Sequence, residues 1–252
     1  MGIYTGTGSA AHQTAKLYAG AGGTARQVQK VYAGVNGQAR LVYQSGSAIG
    51  GRSIGSIVKI KVGGEDTNFI VVQHGLPNGD YDASCNGTWL MMQNLYGDTT
   101  ASENLYESSN LHAYLCNTVF PQIDSAVQGI VKQVKIPNRD NVGANGLSTR
   151  IFVPGAKETG CTSSDYANVN GAKLAYFSDN SSRIAYYRGG GAGKWWTRDR
   201  HVGSWFTTGT RFYRIETNGG LGYEGAGGSI GVRPCIIVPF ETLVDEDGYI
   251  VV

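Results

Sequence analysis

Ser109-Asn110-Leu111-His112-Ala113-Tyr114-Leu115-Cys116-Asn117-Thr118-Val119-Phe120-Pro121 is the stretch on which the fold class turns. Ser108 or Ser109 can cap a helix here, because a serine hydroxyl accepts from one of the first free amides. Leu111, Tyr114, Leu115, Thr118 and Val119 then fall on one face, and Pro121 marks the end. No other segment reads as well as a helix. Upstream, Val58, Ile60 and Val62 alternate with Lys59 and Lys61, as a half-buried strand does. Asn68 to Gln73 follows the turn Gly63-Gly64-Glu65-Asp66, and Trp89 to Gln93 is a third apolar run. Downstream, Ile130 to Ile136 and Arg150 to Val153 read as strands. After Pro154 come short β runs at Leu174 to Phe177, Arg183 to Tyr187, Arg211 to Glu216 and Val232 to Val238. One helix early and irregular strands late predict a loop-rich α+β domain.

The composition agrees with a packed, loop-rich protein. Of 252 residues, 38 are glycine and 15 tyrosine, while 41% are hydrophobic and 16% charged. Glycine shows no three-residue period, which excludes collagen. The low charge argues against a solvated, disordered chain. A net charge of +2 gives no field suited to nucleic acid, and no apolar run approaches the roughly 20 residues that span a bilayer. Neither nucleic-acid binding nor membrane insertion is expected. Met1 to Ala15 is polar and small, so no signal peptide is expected either. Cys85, Cys116, Cys161 and Cys235 lie far apart without a Cys-x-x-Cys pair, and they read as reduced, buried thiols.

The first 43 residues repeat with a period of 14. The clearest copy runs from Lys30 to Tyr43, a second from Lys16 to Gln29, and a decayed one carries Tyr4, Gly6, Gly8 and Ala11. At their centres stand Gly8-Ser9, Gly22-Gly23 and Asn36-Gly37, dipeptides that can take the positive φ of two-residue hairpin turns. Each copy therefore reads as a β-hairpin, with Gly34 opposite Ala39 and Tyr32 opposite Leu41. A flexible glycine-rich leader is the alternative. Residues 1–45 form an attachment or oligomerisation region on this reading, 46–55 a Ser/Gly linker, and 56–252 the main domain.

The hairpins resemble the short tyrosine-glycine repeats of phage tail proteins. The main domain carries Trp195-Trp196-Thr197-Arg198, a polar and aromatic stretch, and then Gly231-Val232-Arg233-Pro234. With Ile151-Phe152-Val153-Pro154, Glu158 and Gly160, this resembles a C-type-lectin-like family common in gut bacteria and their phages. It is also similar to phage tropism determinants of that fold. The resemblance covers about Ser56 to Pro239. It implies that Trp195 and Trp196 fill the core, that Arg233 and Pro234 fix the returning strand, and that the segment 198–229 is displayed to a ligand.

Arg198, Asp199, Arg200, His201, Ser204, Trp205, Phe206, Arg211, Tyr213, Glu216, Asn218, Tyr223 and Glu224 are the candidate ligand-binding residues. They mix aromatic area with adaptable polar groups, as paratopes do. Phe206 and Tyr213 read equally well as core residues, and Trp205 is the expected anchor. Catalytic readings fail. Arg188 to Lys194 lacks the leading glycine and the trailing hydroxyl of a phosphate loop. His12, His74, His112 and His201 show no metal spacing, and no nucleophile elbow appears. Asp245-Glu246-Asp247 reads as an exposed turn before the last strand. No cofactor and no metal are expected.

The expected function is a binding protein, not an enzyme: a phage tail-tip or fibre protein recognising a host-surface protein or glycan through 198–229. Residues 1–45 would join it to other tail proteins, in a homotrimer, on the virion tail outside the cell. A bacterial cell-surface or cell-wall binding module is the alternative.

Overall fold

The computed structural model describes residues 46–101, 105–161, 171–201 and 211–252, together with the backbone of six strands between Tyr4 and Gln44. Those six strands pair as three hairpins: Tyr4–Thr7 with Ala10–Gln13, Tyr18–Ala21 with Thr24–Gln27, and Lys30–Val35 with Gln38–Gln44. Tyr32 stands opposite Leu41 and Gly34 opposite Ala39. The turn dipeptides themselves lie outside the described residues. Each hairpin is a two-stranded sheet of its own.

Residues 46–55, read above as a linker, are tied into the main body. Ser47–Ala48 pairs with Leu243–Val244, the Ile49 amide donates to the Thr242 carbonyl at 2.8 Å, and the Ile49 side chain is fully buried. Ile49, with Ile54 packed partly buried against the same core, supplies the anchor among serines and glycines, and composition alone hides it.

The centre of the body is a four-stranded antiparallel sheet in the order Cys235–Val238, Thr88–Met92, Glu65–His74, Ile57–Val62. Val58, Ile60 and Val62 point inward, as their alternation requires. In Thr88–Met92 every residue is buried, because both faces of the sheet are covered. Leu90, Met92, Phe69 and Val71 pack with Leu111, Leu115 and Trp196 on one side. Trp89, Met91, Ile70 and Val72 pack with Phe152, Phe177 and Trp195 on the other. Trp195 and Trp196 are both fully buried, and successive residues of a strand face opposite ways. The pair therefore pins the two halves of the core at once. A second, five-stranded sheet runs Asp98–Thr100, Ser229–Gly231, Trp195–His201, Arg211–Ile215, Leu221–Gly225.

The α+β class and the C-type-lectin-like fold are corrected by this arrangement: strand outweighs helix by 40% to 17%, in several small sheets. The Ser109 helix does form. Ser109 accepts from the His112 amide at 3.1 Å, and Leu111, Leu115 and Val119 are fully buried. However, only Asn110–Tyr114 is regular α-helix. The chain then widens over Leu115–Val119 and tightens over Phe120–Gln122 at Pro121. The other helices, Ser125–Ile130 and Asn180–Arg183, are one or two turns long. Asp124 caps the first by accepting from the Ala126 amide, and that helix takes only Ile130 from the strand expected over Ile130 to Ile136, which forms over Val134–Ile136. These turns fill gaps beside the sheets and build no layer, so helical periodicity at one place misjudged the class.

A chain starting at Gly46 should melt as one cooperative unit. Ile49→Ala within it should cost about 2–5 kcal/mol and lower Tm by roughly 5–15 °C, followed by circular dichroism. An unchanged Tm would show that 46–55 is a linker after all.

Candidate functional site

Several of the predicted site residues that are described lie about one irregularity in the ladder between Trp195–His201 and Arg211–Ile215. Trp195 faces Ile215 and Trp196 faces Arg214, but the next paired residue is Arg200, opposite Phe212. Thr197, Arg198 and Asp199 thus stand against Tyr213 alone. The Thr197 hydroxyl closes the bulge by donating to the Tyr213 carbonyl at 3.0 Å. Extra residues in one strand re-aim the side chains they carry, and here they turn Arg198 inward.

Arg198 and Glu158 form an ion pair with no solvent exposure on either side chain. It is bidentate: Nη1 donates to Oε2 at 2.6 Å, and Nη2 donates to Oε1. Arg198 also donates to the carbonyls of Pro137 at 3.0 Å and Val153 at 3.2 Å. Glu158 accepts from the Tyr81 hydroxyl at 2.6 Å and the Gly155 amide at 2.9 Å. Burial alone would pull the guanidinium down, but the adjoining Glu158 charge raises it and keeps it protonated. Asp199 accepts from the Ala156 amide at 2.5 Å. Burial, with Glu158 nearby, outweighs Arg198 and pushes the Asp199 carboxyl up to about 6. Arg198 and Asp199 are therefore interior groups, not displayed ones, and this corrects their assignment to the ligand face. A charge with no route to water is kept by its partners.

Past the bulge the strand regains register and brings four of the predicted residues together. His201 stands opposite Arg211, and Tyr213 opposite Tyr223, so the four share one face of the sheet. The His201 ring stacks on Tyr223 at 4.7 Å between centroids and meets the Tyr213 ring edge-on at 5.0 Å. The Arg211 guanidinium lies 5.1 Å from the Tyr223 centroid. Tyr213 is buried beneath the stack, as its core reading allowed, and Tyr223 is 45% exposed at the top.

Arg200, Glu216 and Glu224 do not join them. Arg200 and Glu224 both pair with Phe212 in register, which puts them on the opposite face. There Arg214 bridges Glu216 at 2.8 Å and also pairs with Glu224. Sequence reasoning missed Arg214, although its place three residues after Arg211 in an alternating strand predicts the opposite face. Asn218 accepts from the Gly220 amide at 2.9 Å and shapes the turn into Leu221–Gly225. In that turn the Gly219 carbonyl takes a 2.7 Å bond from Arg183, and a Cβ on Gly219 would strike the Asn180 carbonyl. Ser204, Trp205 and Phe206 lie outside the described residues.

Among the described residues, no group of three or more His, Cys, Asp or Glu side chains could hold a metal ion, and all four cysteines are free. No described helix is long and apolar enough to cross a membrane. Residues 86–240 match the family described as "Domain of unknown function (DUF6273)". No curated protein and no solved structure matches the chain.

Two expectations follow from the buried charges. Arg198→Met should cost about 3–5 kcal/mol, because Glu158 is left buried and unpaired, and Arg198→Met with Glu158→Leu should recover part of it in urea unfolding. Asp199 has a folded pKa above its unfolded one, so its contribution is complete below about pH 4 and is lost as pH rises through about 6. Relative to Asp199→Asn, the unmodified protein should therefore lose up to about 3 kcal/mol between pH 4 and pH 7. Parallel urea midpoints for the two proteins would contradict it.

Proposed function

The chain belongs to the DUF6273 family, and from the geometry of its own sheet we propose that it is a receptor-binding protein of a phage tail, recognising a ligand on the host bacterial surface. The observation that carries this reading is the stack of Arg211, Tyr223, His201 and Tyr213. Its lower ring is fixed in the core, its upper ring is half exposed, and a guanidinium lies over it. Rigid aromatic area with a cation beside it is what recognition hot spots use, since little side-chain freedom is lost on binding. The function is binding and not catalysis: the strongest acid–base constellation, Arg198, Glu158, Tyr81 and Asp199, is internally satisfied and buried.

The three hairpins support the tail assignment. Each is a separate two-stranded sheet with open edges, and such a unit is marginal by itself. Unpaired edges favour addition to other strands, which suits docking to other tail proteins and assembly of three identical chains.

Tyr223→Ala removes the exposed ring and leaves Tyr213 in place. It should weaken adsorption of the labelled protein to host cells by roughly 30-fold, the effect of losing about 2 kcal/mol, while Tm moves little. Arg211→Ala should fall in the same direction. Full adsorption by a folded Tyr223→Ala protein would remove this face from the proposal.

A further inference from the structure

A groove of about 450 Å3 opens at the end of the four-stranded sheet and shares no residue with the Tyr223 face. Its volume lies within the range of small-ligand pockets, roughly 300–1,000 Å3. Val62, Met92 and Leu95 lie at its floor and are almost wholly buried. The turn between the strands Ile57–Val62 and Glu65–His74 lines another part, with Asn94, Tyr96 and Arg188 completing it.

The charges along this groove are already matched. Glu65 pairs with Arg188 at 3.2 Å, and Asp66 pairs with Lys61 at 2.8 Å and accepts from the Tyr249 hydroxyl at 2.6 Å. A phosphate or an ammonium ion would have to displace one of these partners. What remains open is neutral. The Asn94 side-chain amide and the Tyr96 hydroxyl have no hydrogen-bond partner among the described residues. Asn68 gives its amide nitrogen to Gln93 at 3.0 Å, which leaves its carbonyl oxygen without a partner among the described residues.

Most backbone donors along this stretch are used as well. The amides of Met92, Gln93, Leu95 and Tyr96 all donate to protein carbonyls, at 2.9 to 3.0 Å. A peptide added as a strand would find those four donors already used, so a ligand is read mainly by side chains. Neutral amides and a phenol above apolar surface match a molecule that alternates hydroxyls with C–H faces. We infer that this groove binds an uncharged saccharide, with Asn94, Tyr96 and Asn68 on its hydroxyls. The site is independent of the receptor face proposed above.

The full chain can be titrated with neutral trisaccharides of glucose, galactose, mannose and N-acetylglucosamine, and with blocked trialanine as the uncharged peptide. Binding is read by calorimetry and by the side-chain amide resonances of Asn68 and Asn94. At least one saccharide should shift those resonances, and trialanine should not. Asn94→Ala should weaken that saccharide about 3- to 10-fold, the loss expected for one neutral hydrogen bond. Tyr223→Ala should leave it unchanged, which separates this site from the receptor face. No shift with any saccharide at 10 mM, or equal affinity in a folded Asn94→Ala protein, would overturn the inference, as would preference for trialanine.

Discussion

Arg198 carries its charge into a space that water does not reach, and Glu158 meets it there with both carboxylate oxygens. Neither could be buried alone, since an isolated ion in that setting costs several kcal/mol. Their union draws other segments to it: Pro137, Val153 and Gly155 through the backbone, and Tyr81 through its hydroxyl. Stretches of chain without regular structure are held because this polar centre needs each of their groups. The bulge at Thr197, Arg198 and Asp199 is the local consequence. It lets one strand serve the core before it and the aromatic stack of His201, Tyr213 and Tyr223 after it.

The paired tryptophans complete that division. Trp195 donates its indole N–H to the Arg183 carbonyl and Trp196 to the Thr99 carbonyl, so both large rings are buried without an orphaned donor. Arg233 lies 5.5 Å from the Trp195 centroid and donates to the Met92 carbonyl at 3.0 Å, tying the closing strand to the central sheet. Burial brings its guanidinium down to about 10, which still leaves it charged at neutral pH. The motif that marks the end of the domain is therefore a packing device.

The two faces of the outer strands divide their labour by chemistry. Arg214, Glu216 and Glu224 neutralise one another on one side. On the other, aromatic rings and Arg211 rise from a buried base to a half-exposed tip. One face is thus charge-matched and the other aromatic. Alternation along Arg211–Ile215 is enough to keep the two apart.

Local chemistry was legible from the residues alone. The 14-residue period, with turn-forming dipeptides at its centre, determined the hairpins and the pairing of Tyr32 with Leu41. Alternation determined the strand Ile57–Val62, and Ser109 determined where one helix begins. What the sequence could not decide was set by distant partners. The class was misjudged because a helix's period says nothing of how much sheet surrounds it. Arg198 looked like a ligand-binding arginine because its carboxylate stands 40 residues earlier and its inward turn depends on a bulge against Tyr213. Ile49 looked like linker because the strand that covers it, Leu243–Val244, comes almost 200 residues later. Sequence determined which short segments could form, since their energetics involve near neighbours. Only the tertiary structure decided which charges lie inside, because solvation depends on whatever the fold brings alongside.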